Sequence, residues 1–461
     1  MQDAASVVSP TLSSHGDDAP LPKLRRRDAI AIIVGIVIGA GIFKTPSLVA
    51  GTTGDTGWAL TAWLLGALVS LAGALCYAEL AAAYRHAGGD YHFLTRAYGR
   101  DASFLYAWAR GTVINTGAIA LLAFVFGDYV STIAPLGAAS GAIWAALVVI
   151  ALTVVNIAGL RASARTQNWL TIVEVAGLVA VVAAALVISS TSSAPVTQSA
   201  LFVNTPSAGL FGLAMVFVLL TYGGWNEAAY LSAELRGGKR AIVPVLVASL
   251  AIITVAYVAV NVALLHTLGL AGLADSKAPG ADVMGRAFGN LGTGLIALAV
   301  AVAALTSINA TMIVGARTNY AMARDWPALR FMGGWHAARG VPVVAFLVQG
   351  VIALALVAFG ALQHDGFEAM VEFTAPVFWA FLFLVGISVF VLRARDGDRE
   401  RPFRVPLYPF TPIVFCAACA WLTWSSIAYA ASRNAIRVSL FVMAAGVAAW
   451  ALTRRGSKSL R

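Results

Sequence analysis

Two short glycine-bearing runs carry most of the chemistry this sequence offers. The first, Gly35-Ile36-Val37-Ile38-Gly39-Ala40-Gly41-Ile42-Phe43, sets glycines around one alanine in the middle of an apolar segment. The second, Thr221-Tyr222-Gly223-Gly224-Trp225-Asn226-Glu227, puts a glycine pair, an amide and a carboxyl into another. In a membrane, helix breaks and ionisable groups are tolerated only beside a cavity or a partner. A helix opened at such a run presents N–H groups and the positive end of the helix dipole, which suit a carboxylate. Carbonyls freed where the helix stops suit a protonated amine. A zwitterionic amino acid meets both needs at once. For the first run taken alone, packing of small residues between helices is an equal explanation. Tyr222 and Trp225 are candidates for gating or for packing.

The elements holding these runs follow from composition. The 461 residues are 60% hydrophobic and 11% charged, with a mean hydropathy of +0.82. Soluble domains run about 45–50% apolar and about 25% charged. The excess is cut into stretches long enough to cross a bilayer, which excludes a soluble enzyme, a secreted disulfide scaffold and a disordered chain. Twelve apolar segments are expected, at 28–50, 57–84, 101–131, 139–159, 165–189, 210–233, 242–266, 290–319, 341–360, 367–392, 409–430 and 435–453. Of the 31 Lys and Arg, 25 fall in the two tails and alternate connections, against Lys277, Arg286, Arg433 and Arg437 on the other side. That asymmetry predicts both termini in the cytoplasm. It accounts for the net charge of +10 without nucleic acid. Residues 1–27 read as a disordered cytoplasmic tail lacking a signal-peptide cleavage pattern.

The two runs lie five segments apart, so they occupy equivalent places if the chain is built from repeats. Paired interruptions of that kind point to a transporter's midplane site. The expected organisation is a transport core at 28–393, made of halves 28–189 and 210–393, then helices 11 and 12 within 394–453 and a tail at 454–461. Cys76, Cys416 and Cys419 lie in apolar stretches, and Cys416 and Cys419 read as small buried residues sharing a helix face. No histidine cluster, nucleophile, phosphate loop or metal spacing is visible, so neither an enzyme nor a cofactor is expected. A channel would need a filter sequence, and a sensor would normally carry a signalling domain, which the short tails do not supply.

The combined motifs resemble the amino acid–polyamine–organocation superfamily over about residues 25–425. The first-helix pattern stands as Gly39-Ala40-Gly41-Ile42-Phe43 and the sixth as Tyr222-Gly223-Gly224-Trp225-Asn226-Glu227. Cys76-Tyr77-Ala78-Glu79-Leu80, Arg161 to Asn168, Ser307-Ile308-Asn309-Ala310 and Arg401-Pro402-Phe403-Arg404 are similar to further family segments. The resemblance implies an all-α integral membrane fold of twelve helices, a leucine-transporter-like five-plus-five inverted repeat with two C-terminal helices. It implies secondary active transport of amino acids, as proton-coupled symporter or antiporter, in a cell (inner) membrane. Polyamine or other organic-amine transport and amino acid sensing are the alternatives. It also implies substrate carboxylate on the backbone of Ala40, Gly41 and Ile42, the amino group near Ile38, Leu220, Thr221 and Gly223, and Asn226 beside the substrate.

Two departures bear on mechanism. Where many sodium-independent relatives place a fifth-helix lysine, this chain has Glu174; a glutamate there is a candidate proton carrier or the salt-bridge partner of Lys44 or Arg110. Leu220 replaces a gating aromatic, which with the small residues around it hints at neutral substrates unless Glu227 faces the pocket. Lys44 is expected to snorkel outward, Arg110 to face an aqueous vestibule, and Glu79 to belong to an inner-gate pair. Glu174, Trp225, Glu227 and Asn309 are the expected coupling or gating residues. No partner subunit is assigned.

Overall fold

The computed structural model describes residues 25–84, 89–159, 164–191, 201–225, 239–336, 339–432 and 436–458. These residues are helical almost throughout, and the single bridge between His336 and Val341 is isolated. In order the helices are α1 (Arg26–Val37), a 3-10 turn (Ala40–Phe43), α2 (Thr45–Thr53), α3 (Thr56–Ala83), α4 (Asp90–Tyr98) and α5 (Arg100–Ala109). A π-helical turn (Arg110–Ile114) joins α5 to α6 (Asn115–Ile133), followed by α7 (Ser140–Ile157), α8 (Ala164–Thr191) and α9 (Ala208–Thr221). Then come α10 (Lys239–Asp275), α11 (Pro279–Asp325), α12 (Val343–Ala361), α13 (Gly366–Arg395), α14 (Phe410–Ser432) and α15 (Ile436–Lys458).

Nine runs among the described residues are long and apolar enough to span a bilayer: α3, α5 with α6, α7, α8 and α10 to α14. Each falls on an expected segment. Of the other three, 28–50 is broken into α1, the 3-10 turn and α2, α9 is short, and the apolar part of α15 (Arg437–Ala451) is shorter than a full span. α10 and α11 bend at Gly269 (φ 71°) and Gly289 (φ 61°), a left-handed geometry open to a residue without Cβ. Those bends lie beside 266 and 290, the ends read from hydropathy, so the additional turns belong to the connection between the two spans.

Large apolar side chains such as Val255, Leu186 and Val351 are exposed on the bundle's outside, where hydrocarbon would cover them. Inside, small residues bring backbones together: a Cβ on Gly127 would lie 2.0 Å from the Gly141 carbonyl oxygen, so α6 and α7 meet almost backbone to backbone. α6 is the central post, packed by α7, α11 and α13. Asp55 fastens one end of the bundle. Its carboxylate caps α3 through Gly57 N (2.8 Å) and Trp58 N (3.1 Å) and accepts from the N–H groups of Phe202, Val203 and Asn204 ahead of α9. Burial alone would raise the Asp55 pKa, but these backbone donors outweigh it and hold the carboxyl below its ordinary range.

Candidate functional site

Both glycine runs interrupt their helices. After Val37, Ile38 and Gly39 are extended, and the chain re-enters helix as the tight turn Ala40–Phe43. The N–H groups of Ala40, Gly41 and Ile42 open that turn, where no earlier carbonyl of the same helix is available to them. α9 stops at Thr221; Gly224 has φ 103°, and a Cβ on Gly223 would sit 2.8 Å from the Leu220 carbonyl oxygen. Helix resumes at Trp225, while Asn226 and Glu227 lie outside the described residues.

The two breaks face each other. The hydroxyls of Thr45 and Thr221 are 2.6 Å apart, and a Cβ added to Gly41 would come into ordinary contact with Thr221 Oγ1 at 3.6 Å. Tyr257 of α10 completes the link: its hydroxyl points at the carbonyls of Val37 (3.0 Å) and Thr221 (3.2 Å), so one proton serves the ends of both broken helices. The ring is fully buried and packs edge-on against Trp63 and Tyr222. Sequence reasoning missed Tyr257. The only available signal was that a buried tyrosine hydroxyl needs a partner, which does not say where the partner lies.

Between the breaks opens a cavity of about 460 Å³, within the range of small-molecule sites. Ile38, Gly39, Ala40 and Gly41 line it from the first break, and Leu220, Thr221, Gly223, Gly224 and Trp225 from the second. Glu174 enters from α8 and Ser307 from α11. The cavity then follows α6 past Ala118 and Ile114 to Arg110, Tyr106 and Asp90. Ile42 and Tyr222 are not among its lining residues. Tyr222 instead directs its hydroxyl at the Trp63 carbonyl (3.2 Å) and packs on Trp63 and Tyr257. Asn309 is turned toward α7, where its Oδ1 accepts from Asn156 Nδ2 at 2.8 Å. Trp225 stands edge-on to Tyr77 and Phe415.

The charged groups sort by position. Glu174 is buried, and among the described residues it forms no ion pair. The alternative of a bridge to Lys44 or Arg110 is therefore not realised. Lys44 does not snorkel outward either: it is 1% exposed, and Nζ donates to Asp128 Oδ2 (2.9 Å), Asp365 Oδ2 (3.1 Å) and the Lys277 carbonyl (3.4 Å). The reason is geometric, because two carboxylates converge on a stem too enclosed to reach water. Arg110 lines the cavity, as expected, and donates from Nη1 to Tyr106 Oη at 2.9 Å. Glu79 is held by Arg393, whose Nε donates to Oε1 at 2.7 Å, and by the Val405 N–H at 2.6 Å. This clamp joins α3, α13 and the segment before α14.

The sequence model of amino acid permeases matches residues 24–449. The chain is 28% identical over 405 residues to the serine/threonine exchanger SteT of Bacillus subtilis (strain 168), covering 87% of this chain and 90% of that protein. It is 26% identical over 439 residues to the b(0,+)-type amino acid transporter 1 of Mus musculus, covering 94% and 88%. With the cystine/glutamate transporter of Homo sapiens it shares 26% over 404 residues, covering 86% and 79%.

Proposed function

The chain belongs to the amino acid permease family of the amino acid–polyamine–organocation superfamily, and from that premise we propose that it moves amino acids across a cell (inner) membrane by alternating access. The observation that carries this reading is the meeting of two broken helices across one cavity, with N–H groups offered by one break and carbonyls by both. Substrate carboxylate sits on the N–H groups of Ala40 and Gly41, which line the cavity at the positive end of the restarted helix. The ammonium meets carbonyls near Ile38, Leu220, Thr221 and Gly223, with Asn226 alongside. Because the Thr221 carbonyl already accepts from Tyr257, the substrate uses its remaining lone pair.

The nine apolar runs support a ten-span core of inverted five-helix halves at 28–189 and 210–393, followed by helices 11 and 12 at 394–453, twelve spans in all, with tails 1–27 and 454–461 in the cytoplasm. Exchange is the favoured mode, because SteT is named as an exchanger of serine and threonine, and small neutral substrates suit walls made of Leu220 and glycines. Proton-coupled symport is the second reading, supported by Glu174, a buried carboxyl in the cavity that forms no ion pair among the described residues. Trp225 is a gating aromatic in either reading.

Gly41 supplies the test. A Cβ there meets only ordinary contacts, so Gly41→Ala folds and retains substrate binding, whereas Gly41→Trp fills the site. Binding of labelled L-serine and L-threonine to the purified variants is lost in Gly41→Trp while the protein stays monodisperse in detergent. Affinity like the wild type in Gly41→Trp would remove the proposed site.

A further inference from the structure

Where the two breaks meet, two hydroxyl-bearing residues stand together on the cavity wall, Thr45 at the start of α2 and Thr221 at the end of α9. Both are buried, and their hydroxyl oxygens are 2.6 Å apart. The two protons of this pair are already committed. Thr221 has one hydroxyl proton, and it goes to the Phe217 carbonyl at 3.0 Å. The proton between the two oxygens is therefore the one on Thr45. With both donated, only acceptor capacity is left, two lone pairs on Thr45 Oγ1 and one on Thr221 Oγ1. Neither oxygen makes another hydrogen bond among the described residues. Such a wall pairs with a ligand O–H, whereas a methyl group in the same place leaves buried oxygens unpaired.

The pair is fixed in place. Lys44, which precedes Thr45, is clamped by Asp128 and Asp365, and the Thr221 carbonyl accepts from Tyr257. The pair also stands beside the carboxylate position. Thr221 Oγ1 lies 3.6 Å from where a Cβ on Gly41 would be, hence no more than about 7 Å from the Gly41 nitrogen. Two hydrogen bonds of about 2.9 and 2.8 Å, with the carboxyl, Cα and Cβ of one amino acid between them, cover that separation. We propose, resting on the transport reading, that Thr45 and Thr221 form a side-chain subsite selecting amino acids with a hydroxyl on the β-carbon. The substrate hydroxyl donates to the pair while the carboxylate stays on Ala40 and Gly41 and the ammonium on the carbonyls. An apolar side chain of the same shape fits the space but leaves the acceptors unpaired, and that penalty is what discriminates.

The test measures, in proteoliposomes of the purified protein, KM for labelled L-threonine and the inhibition constant of its near-isostere L-valine. In the wild type valine is about tenfold the weaker, the scale of one hydrogen bond whose acceptor is left buried and unpaired. Thr45→Val combined with Thr221→Val replaces both hydroxyls by methyls and keeps the shape of the wall. That protein shows a KM for threonine raised about tenfold and a valine constant within about twofold of wild type, so the preference disappears. Thr45→Ser combined with Thr221→Ser keeps both hydroxyls and the preference. A wild type that handles the two amino acids alike overturns the subsite before any variant is made. A preference that persists in Thr45→Val/Thr221→Val overturns it too. So does an equal weakening of both amino acids there, which would mean that the pair only ties the broken helices together or serves the ammonium that both carry. Wild-type transport of other amino acids but not of threonine sinks the subsite alone; wild-type proteoliposomes that move no amino acid sink the transport reading and the subsite with it.

Discussion

Replacing Lys44 with methionine keeps the stem and removes the charge from a buried cluster of one cation and two carboxylates. Asp128 and Asp365 each place an oxygen on the same Nζ, at 2.9 and 3.1 Å, so those oxygens are at most about 6 Å apart. At an effective dielectric of about 20, each contact is worth about 5–6 kcal/mol of attraction, and the two carboxylates repel by about 3 kcal/mol or more. Lys44→Met removes both attractions and leaves the repulsion. Water entry or protonation relieves part of it, leaving a destabilisation of about 3–5 kcal/mol, the usual scale when one partner of a buried pair is lost. Asp365→Asn, by contrast, leaves a neutral Lys44–Asp128 pair and costs about 1 kcal/mol or less. Thermal unfolding of the purified protein, followed by size-exclusion chromatography, reads the ordering. Lys44→Met falls by on the order of 5 °C, Asp365→Asn stays close to wild type, and the triple neutral variant Lys44→Met, Asp128→Asn, Asp365→Asn recovers most of the loss. Equal losses in Lys44→Met and Asp365→Asn would refute the charge reasoning, and so would a triple variant no better than Lys44→Met.

Further outcomes follow from other contacts. Glu174→Gln removes any response of uptake to an inward proton gradient if Glu174 carries the coupling proton; a response that survives returns Glu174 to a structural role. Tyr257→Phe deprives two buried carbonyls of their shared donor, a loss of about 1–3 kcal/mol, and raises substrate KM several-fold with little change in the amount of folded protein. Unchanged KM would separate Tyr257 from the site. Asp55→Ala loosens the segment before α9, lowering stability by about 0.5–2 kcal/mol through the lost α3 cap. Because the Asp55 carboxyl is held below its ordinary value of 3.8, its contribution is full above about pH 5 and is lost as pH falls through the folded-state value. The stability gap between wild type and Asp55→Ala is therefore flat from about pH 5 to 8 and closes in acid; a gap that widens in acid contradicts this assignment.

How much of this was legible in the residues depends on range. The breaks at Gly39-Ala40-Gly41 and Gly223-Gly224 were readable because glycine in an apolar helix leaves a local mark, and the segment ends at 266 and 290 fell beside the bends at Gly269 and Gly289. Direction around a helix was harder. Tyr222, one step from the cavity-lining Thr221, is rotated by about 100° into the packing against Trp63, and Asn309 turns toward Asn156 for the same reason. Long-range contacts were not readable at all: Lys44 meets partners 84 and 321 positions away, and only the fold brings them together. Tyr257 was missed for the same reason, since the carbonyls it serves belong to two other helices.

The most direct measurement is uptake of labelled amino acids into proteoliposomes containing the purified protein, with and without lumenal unlabelled amino acid and with and without an inward proton gradient. Transport through the facing breaks predicts uptake under at least one of these conditions, driven by lumenal amino acid for exchange or by the gradient for symport, and its loss in Gly41→Trp. No uptake of any amino acid under any of the four conditions, or uptake undiminished in Gly41→Trp, would contradict it.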